Sequence, residues 1–245
     1  GALCGSLYVL VKREKLLALP YLTTLYSDWK QILKIGTPAA LSNAMTPLSG
    51  AILMMLLASH GTEAVAAYGA AQRVESLLLL VIMALTSALT PFIAQNIGAK
   101  NYPRSFAALF LSMRFSIVFQ LLIFIMMVPL SVPLSALFSQ EQSVRDLLWH
   151  YLLVVPFSYG FQGIMMVLIS GLNAMHRPLH AFYWSALRLF GLTLPAAWLG
   201  SLLYDIEGLF FGIAFGNIVG GVLGYLYALK LRREAQEQEE EGRFA

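Results

Sequence analysis

The chain has 245 residues, of which 58% are hydrophobic and only 12% charged, with 16 Lys and Arg against 13 Asp and Glu. A soluble domain carries about twice that charged fraction, so the composition excludes the water-soluble classes. At roughly 35 to 40 residues per membrane span with its loop, about 20 of them apolar, the length divides into roughly six or seven helices and leaves nothing for a soluble domain.

The predicted elements follow in chain order. Gly1 to Val11 is apolar but too short to cross a bilayer, and reads as the last turns of a preceding transmembrane helix. There is no initiator Met and no signal-peptide pattern, so the chain is expected to be part of a longer polypeptide. Residues 12–31 read as a cytoplasmic linker, within which Ser27 or Asp28 is placed to cap a helix that Trp29 opens at the interface; an ordinary linker fits equally well. Apolar runs of span length then occupy Ile32 to Ala58, Ala64 to Gln95, Ser105 to Phe138, Leu147 to Leu172, Leu179 to Tyr204 and Ile206 to Leu231. Residues 32–231 are thus expected to form an all-α integral membrane protein, a six-helix transmembrane bundle. Residues 232–245 are a charge run expected to be a solvated, partly disordered cytoplasmic tail. The single cysteine, Cys4, reads as a small apolar residue.

The basic residues orient these spans. Lys12, Arg13, Lys15, Lys30 and Lys34 precede the first, Lys100 and Arg104 follow the second, Arg177 follows the fourth, and Lys230, Arg232 and Arg233 follow the sixth. The three intervening loops hold only Arg145. An excess of Lys and Arg marks the cytoplasmic side, so both ends of the chain are expected there, in a multi-pass membrane protein. A parse wrong by one span would scramble the alternation.

An ionisable group at the bilayer centre costs about 2.5 to 3.5 kcal/mol on insertion scales. Gln72, Arg73 and Glu75 nevertheless fall near the middle of the second span, and Arg114 and Arg188 lie within the third and fifth. Arg73 and Glu75, two apart, point to different sides of a helix. Arg114 and Arg188 either snorkel outward or reach Glu75 across the bundle. Proline or glycine interrupts nearly every span, at Gly36 and Pro38, Pro47, Pro91, Pro129 and Pro133, Pro156, and Gly191 and Pro195. Such interruption is typical of transporters, while kinked packing is the plainer account of any one proline. Ser42, Asn43, Thr46 and Ser49 in the first span and Tyr159 and Gln162 in the fourth serve either helix association or a ligand. Met165 and Met166 suit a pliable apolar surface.

No Gly-x-Ser-x-Gly, His-Glu-x-x-His, phosphate loop or acidic metal cluster is present, which argues against an enzyme. No cofactor is expected. The basic residues lack interleaved aromatics outside the membrane, so no nucleic-acid partner is expected either. A plain scaffold has no use for a buried Arg and Glu.

The run Ile35-Gly36-Thr37-Pro38-Ala39-Ala40, then His60-Gly61-Thr62-Glu63-Ala64-Val65-Ala66-Ala67-Tyr68, resembles the start of the second six-helix lobe of multidrug and toxic compound extrusion (MATE) transporters. Gln95-Asn96-Ile97-Gly98-Ala99 is similar to that family's cytoplasmic end of the eighth helix, and Ser170-Gly171-Leu172-Asn173-Ala174 to the end of the tenth. The resemblance implies the C-terminal lobe of a twelve-helix antiporter that moves small amphipathic or cationic compounds outward against H+ or Na+, with membrane lipid and a missing N-terminal six-helix lobe as partners. Counted from the Gly-x-Pro, the acidic residue of the family's NorM branch falls on Thr46, which points to the DinF branch, whose coupling Asp lies in the other lobe. Candidate pathway residues are then Asn43, Thr46, Gln72, Arg73, Glu75, Tyr159, Gln162 and Met166, with Glu75 as the gating or substrate-cation contact alongside Arg73. A flippase of lipid-linked sugars from the same superfamily is the alternative. It needs a basic cavity, for which Arg73, Arg114 and Arg188 are the only candidates.

Overall fold

The computed structural model describes Lys12 and residues 25–240. The expected helix end at 1–11, most of the linker and the last five residues lie outside the described residues. Contacts divide the chain into residues 1–37 and 38–245; the second unit holds the bundle described below.

Among the described residues every regular element is helical. Helix α1 spans Leu25–Ala58. It opens before Trp29, so Ser27 and Asp28 are inside the helix and not its cap. Asp28 sits in the first turn, where a carboxylate complements the helix dipole. The chain reverses at His60 and Gly61, whose φ of 111° is accessible at little cost only to glycine. Helices α2, Thr62–Leu78, and α3, Leu80–Gly98, form one crossing broken at Leu79. Helix α4 spans Tyr102–Phe138 and is capped by Asn101, whose side chain accepts from the Arg104 amide at 3.3 Å. Helices α5, Gln142–Val154, and α6, Tyr159–Ala174, are separated by a 3-10 turn at Pro156–Ser158. Helix α7, Pro178–Ala186, passes through a π-helical stretch, Leu187–Thr193, into α8, Leu194–Glu240.

Among the described residues, five stretches are long and apolar enough to cross a membrane, and the last of them, Pro178–Glu237, has 60 residues. Its backbone leaves helical geometry at Tyr204 and Asp205 and folds back. Gly212 then lies against Ala196, Gly216 against Thr193 and Gly220 against Arg188, an antiparallel hairpin. Counting its two arms, the bundle has six crossings, as expected from the sequence. The glycines at 208, 212, 216 and 220 recur every fourth residue and form one face of the sixth crossing, on which the fifth lies backbone to backbone. Gly221 and Gly224 face Phe161 and Met165 of α6 in the same way.

Two inner turns use the same helix stop. At the end of α3 the Asn101 amide donates to Asn96 at 2.8 Å and the Lys100 amide to Ile97 at 2.9 Å; at the end of α6 Arg177 donates to Leu172 at 2.8 Å and His176 to Asn173 at 3.2 Å. Both are Schellman motifs, with Lys100 (φ 57°) and His176 (φ 56°) where glycine is usual. Helix α8 runs on to Glu240, because Arg, Glu, Ala and Gln are strong helix formers and Lys230 pairs with Glu234 one turn on, at 3.7 Å.

The apolar core is in two parts. One gathers Leu57, Tyr68, Val74, Leu148, Tyr151 and Phe210 toward the end that carries the turn at His60 and Gly61. The other gathers Ile93, Phe106, Met113, Leu168, Ala181 and Leu231 toward the end that carries the Lys100 and His176 turns. Between them lies a polar layer.

Candidate functional site

The polar layer is built where helices break. At Leu79 the turn between α2 and α3 leaves the Leu78 carbonyl for another donor, and the buried Gln120 of α4 donates its Nε2 to it at 2.9 Å. At Pro156 the missing amide ends α5, and the turn that follows holds Ser158 buried. Asn217, from the sixth crossing, donates its Nδ2 to Ser158 Oγ at 3.1 Å and to Gln162 Oε1 at 3.3 Å. Side chains of neighbouring helices thus satisfy polar groups for which the bilayer offers no water.

Glu75, half-buried, is the acid in this layer. Tyr151 donates its hydroxyl to Glu75 Oε2 at 3.2 Å, and Gln162 donates its Nε2 to Oε1 at 3.1 Å. The hydroxyls of Tyr151 and Tyr159 lie 3.4 Å apart, and the Tyr151 ring meets Tyr68 and Phe210 edge-on at 6.0 and 5.2 Å between centroids. Both carboxylate oxygens therefore accept hydrogen bonds, and packing fixes the Tyr151 ring. Arg188, in the π-helical stretch, is only 7% exposed. It interacts electrostatically with Glu75, and among the described residues its Nε has no hydrogen-bond partner. The arrangement is a carboxylate held by neutral donors, with a buried guanidinium as an interacting opposite charge. Such a group can hold a proton or a cation, or exchange partners with a charged cargo.

Of the candidates read from the sequence, Glu75, Tyr159 and Gln162 come together here. Gln72 is half-buried beside Gly50 of α1, its Nε2 3.4 Å from where a Cβ would stand. Asn43, Thr46 and Arg73 are exposed and Met166 is half-buried, and none of them joins these hydrogen bonds. Arg73 and Glu75 occupy different sides of α2. Arg114 is exposed on α4, away from Glu75, whereas Arg188 turns inward. Sequence reasoning missed Tyr151, Ser158 and Asn217. Asn217 carried a usable signal as the one amide within the apolar run Ile206 to Leu231. Among the described residues no three of His, Cys, Asp and Glu converge as a metal site.

The MatE family profile matches residues 38–199. The chain is 40% identical over 232 residues, 94% of its length and 51% of the relative's, to a protein of Shewanella oneidensis named FAD transporter. It is 31% identical over 233 residues to the probable multidrug resistance protein YpnP of Bacillus subtilis, covering 92% of this chain and 50% of that protein. The crystal structure of the Vibrio cholerae MATE transporter VcmN in its bent form superposes with a TM-score of 0.81 at 37% identity, over 86% of this chain and 48% of that one. The chain thus spans about half the length of these relatives, one lobe of their two-lobe fold. A six-crossing bundle with broken helices and a polar layer at the breaks is what such a lobe contains, and the chain belongs to the MATE family of transporters.

Proposed function

We propose that this lobe is the C-terminal half of a secondary-active efflux transporter that exchanges small organic compounds for H+ or Na+ by alternating access in the bacterial inner membrane. The observation that carries the reading is Glu75, an ionisable group inside the bilayer, held by Tyr151 and Gln162 at the level where three helices break. In a family of transporters rather than enzymes, such a carboxylate is suited to a cation-dependent gate. The test is Glu75→Gln in the full-length protein, which keeps both hydrogen-bonding positions and removes the charge. Expression is expected to hold while resistance to cationic drugs falls roughly tenfold, the equivalent of about 1.4 kcal/mol. Unchanged resistance at equal expression would remove Glu75 from the mechanism.

A second reading exchanges the cationic cargo for an anionic one. Arg188 favours it, a buried guanidinium whose Nε lacks a partner, and so does the name FAD transporter carried by the Shewanella oneidensis relative. Export of a cationic dye and of FAD, measured side by side in cells expressing the protein, separates the two. The lipid-linked sugar alternative would need Arg73, Arg114 and Arg188 to face one cavity; in this lobe Arg73 and Arg114 are exposed and Arg188 is buried.

A further inference from the structure

Helices α4 and α8 both pack on α6 but scarcely touch each other, and a groove runs between them with α6 as its floor. Toward the end that carries Lys100 and Arg104, cytoplasmic by the charge rule, it opens into a cavity of about 430 Å³ bordered by Arg114, Arg232, Phe110 and Tyr225. A second cavity of about 280 Å³ is lined by Ile117, Phe161, Ile164 and Val222, with Arg114 and Tyr225 bordering both. A head region with two arginines thus leads into an apolar channel.

We propose that this groove binds an anionic phospholipid of the cytoplasmic leaflet, its phosphate between Arg114 and Arg232 and one acyl chain along Ile117, Phe161 and Val222. Charge complementarity selects the occupant. Among the described residues that line the head cavity there is no carboxylate to neutralise the two guanidiniums, and Glu234 is taken up by Lys230. The arginines come from different helices, and the Arg232 guanidinium is steadied 5.9 Å from the Phe110 ring centroid, which itself meets Tyr225 edge-on at 5.5 Å. Depth agrees. Helix α4 has 37 residues, about 55 Å against a hydrocarbon thickness of about 30 Å. Centred in the bilayer, it places Arg114, twelve residues in, about 6 Å below the headgroup boundary, within the reach of a snorkelling side chain. The groove shares no residue with the Glu75 network, so the site is independent of the transport reading.

The test is thermal unfolding of the full-length transporter in detergent, titrated with phosphatidylglycerol, with phosphatidylcholine of the same acyl chains, and with inorganic phosphate. Phosphatidylglycerol is expected to raise the midpoint, and the other two to leave it in place. Combining Arg114→Gln with Arg232→Gln should raise the half-effective lipid concentration at least about tenfold, the loss of about 1.4 kcal/mol. Val222→Trp, which fills the channel and keeps both arginines, should do the same and serves if the double variant does not fold. Arg145→Gln, at the opposite end of the lobe, should titrate like the wild type. An equal shift with phosphatidylcholine, a shift with phosphate alone, or unchanged titration of the arginine and Val222 variants would each overturn the proposal.

Discussion

Tyr151 holds Glu75 in place from the first turns of the fourth span, ahead of the residues that the sequence marks as part of the site. Its hydroxyl donates to the carboxylate alongside Gln162, and hydrogen bonds to charged groups contribute about 1.5 to 3 kcal/mol. Tyr151→Phe keeps the ring contacts with Tyr68 and Phe210 and removes only that donor. Transport is expected to fall while the protein still folds, and a variant with wild-type transport would show that Gln162 suffices. Arg188 can be weighed by a double-mutant cycle of Glu75→Gln with Arg188→Met, read by thermal unfolding. Opposite charges in the interior of a bundle attract, so a favourable coupling energy is expected. A coupling near zero would leave Arg188 outside the Glu75 site. What was legible here followed from cost: Glu75, Tyr159 and Gln162 stand out because a polar group within an apolar run needs a reason. Tyr151 does not stand out, since Trp149-His150-Tyr151 near an outer end looks like an interfacial belt.

The elements were legible wherever hydropathy alone decides them, as in the spans and their alternation of charge. Their breaks were legible only in part: Pro156 and Gly191 with Pro195 mark two of them, and nothing marks the one at Leu79. Leu79 lies in the run Leu77 to Val81, all residues compatible with a helix, and only the Gln120 side chain that accepts responsibility for the Leu78 carbonyl explains why the chain can turn there. The π-helical stretch ends beside Pro195, which has no amide for the carbonyl four residues earlier, at Gly191. The hairpin of the fifth and sixth crossings depends on glycines whose four-residue repeat was present in the sequence but acquires meaning only with its partner. A Cβ at Gly212 would meet the backbone of Ala196 and Ala197. Gly212→Val is therefore expected to part the two arms, with a cost of at least about 1 to 3 kcal/mol from overpacking, visible as lost expression of folded protein. Gly69→Ala is the contrast, since a Cβ there meets nothing within 4 Å. Removing a glycine from a helix interior should raise stability by about 0.5 to 1 kcal/mol. Equal tolerance of the two changes would refute the close packing of the arms.

Across the whole lobe, two apolar cores are joined through a layer in which the Leu79 break, the Pro156–Ser158 turn and the Leu187–Thr193 stretch supply the irregular backbone. Packed cores resist continuous deformation, so a lobe built this way bends most readily at the layer between them. The site and the hinge then coincide: the protonation or occupancy of Glu75 acts on hydrogen bonds that come from both sides of the Pro156 turn, Tyr151 before it and Gln162 after it. Replacing the turn tests this directly. Pro156→Ala supplies the missing amide and allows α5 and α6 to continue as one helix, a gain of up to about 3 kcal/mol where the surroundings permit it. If bending at the turn belongs to the transport cycle, the variant should unfold at a higher temperature and exchange cargo more slowly. Each 1.4 kcal/mol added to the barrier slows exchange roughly tenfold. A variant that is more stable and transports at the wild-type rate would place the bend elsewhere, with Leu79 the next position to examine because its repair by Gln120 is a single hydrogen bond.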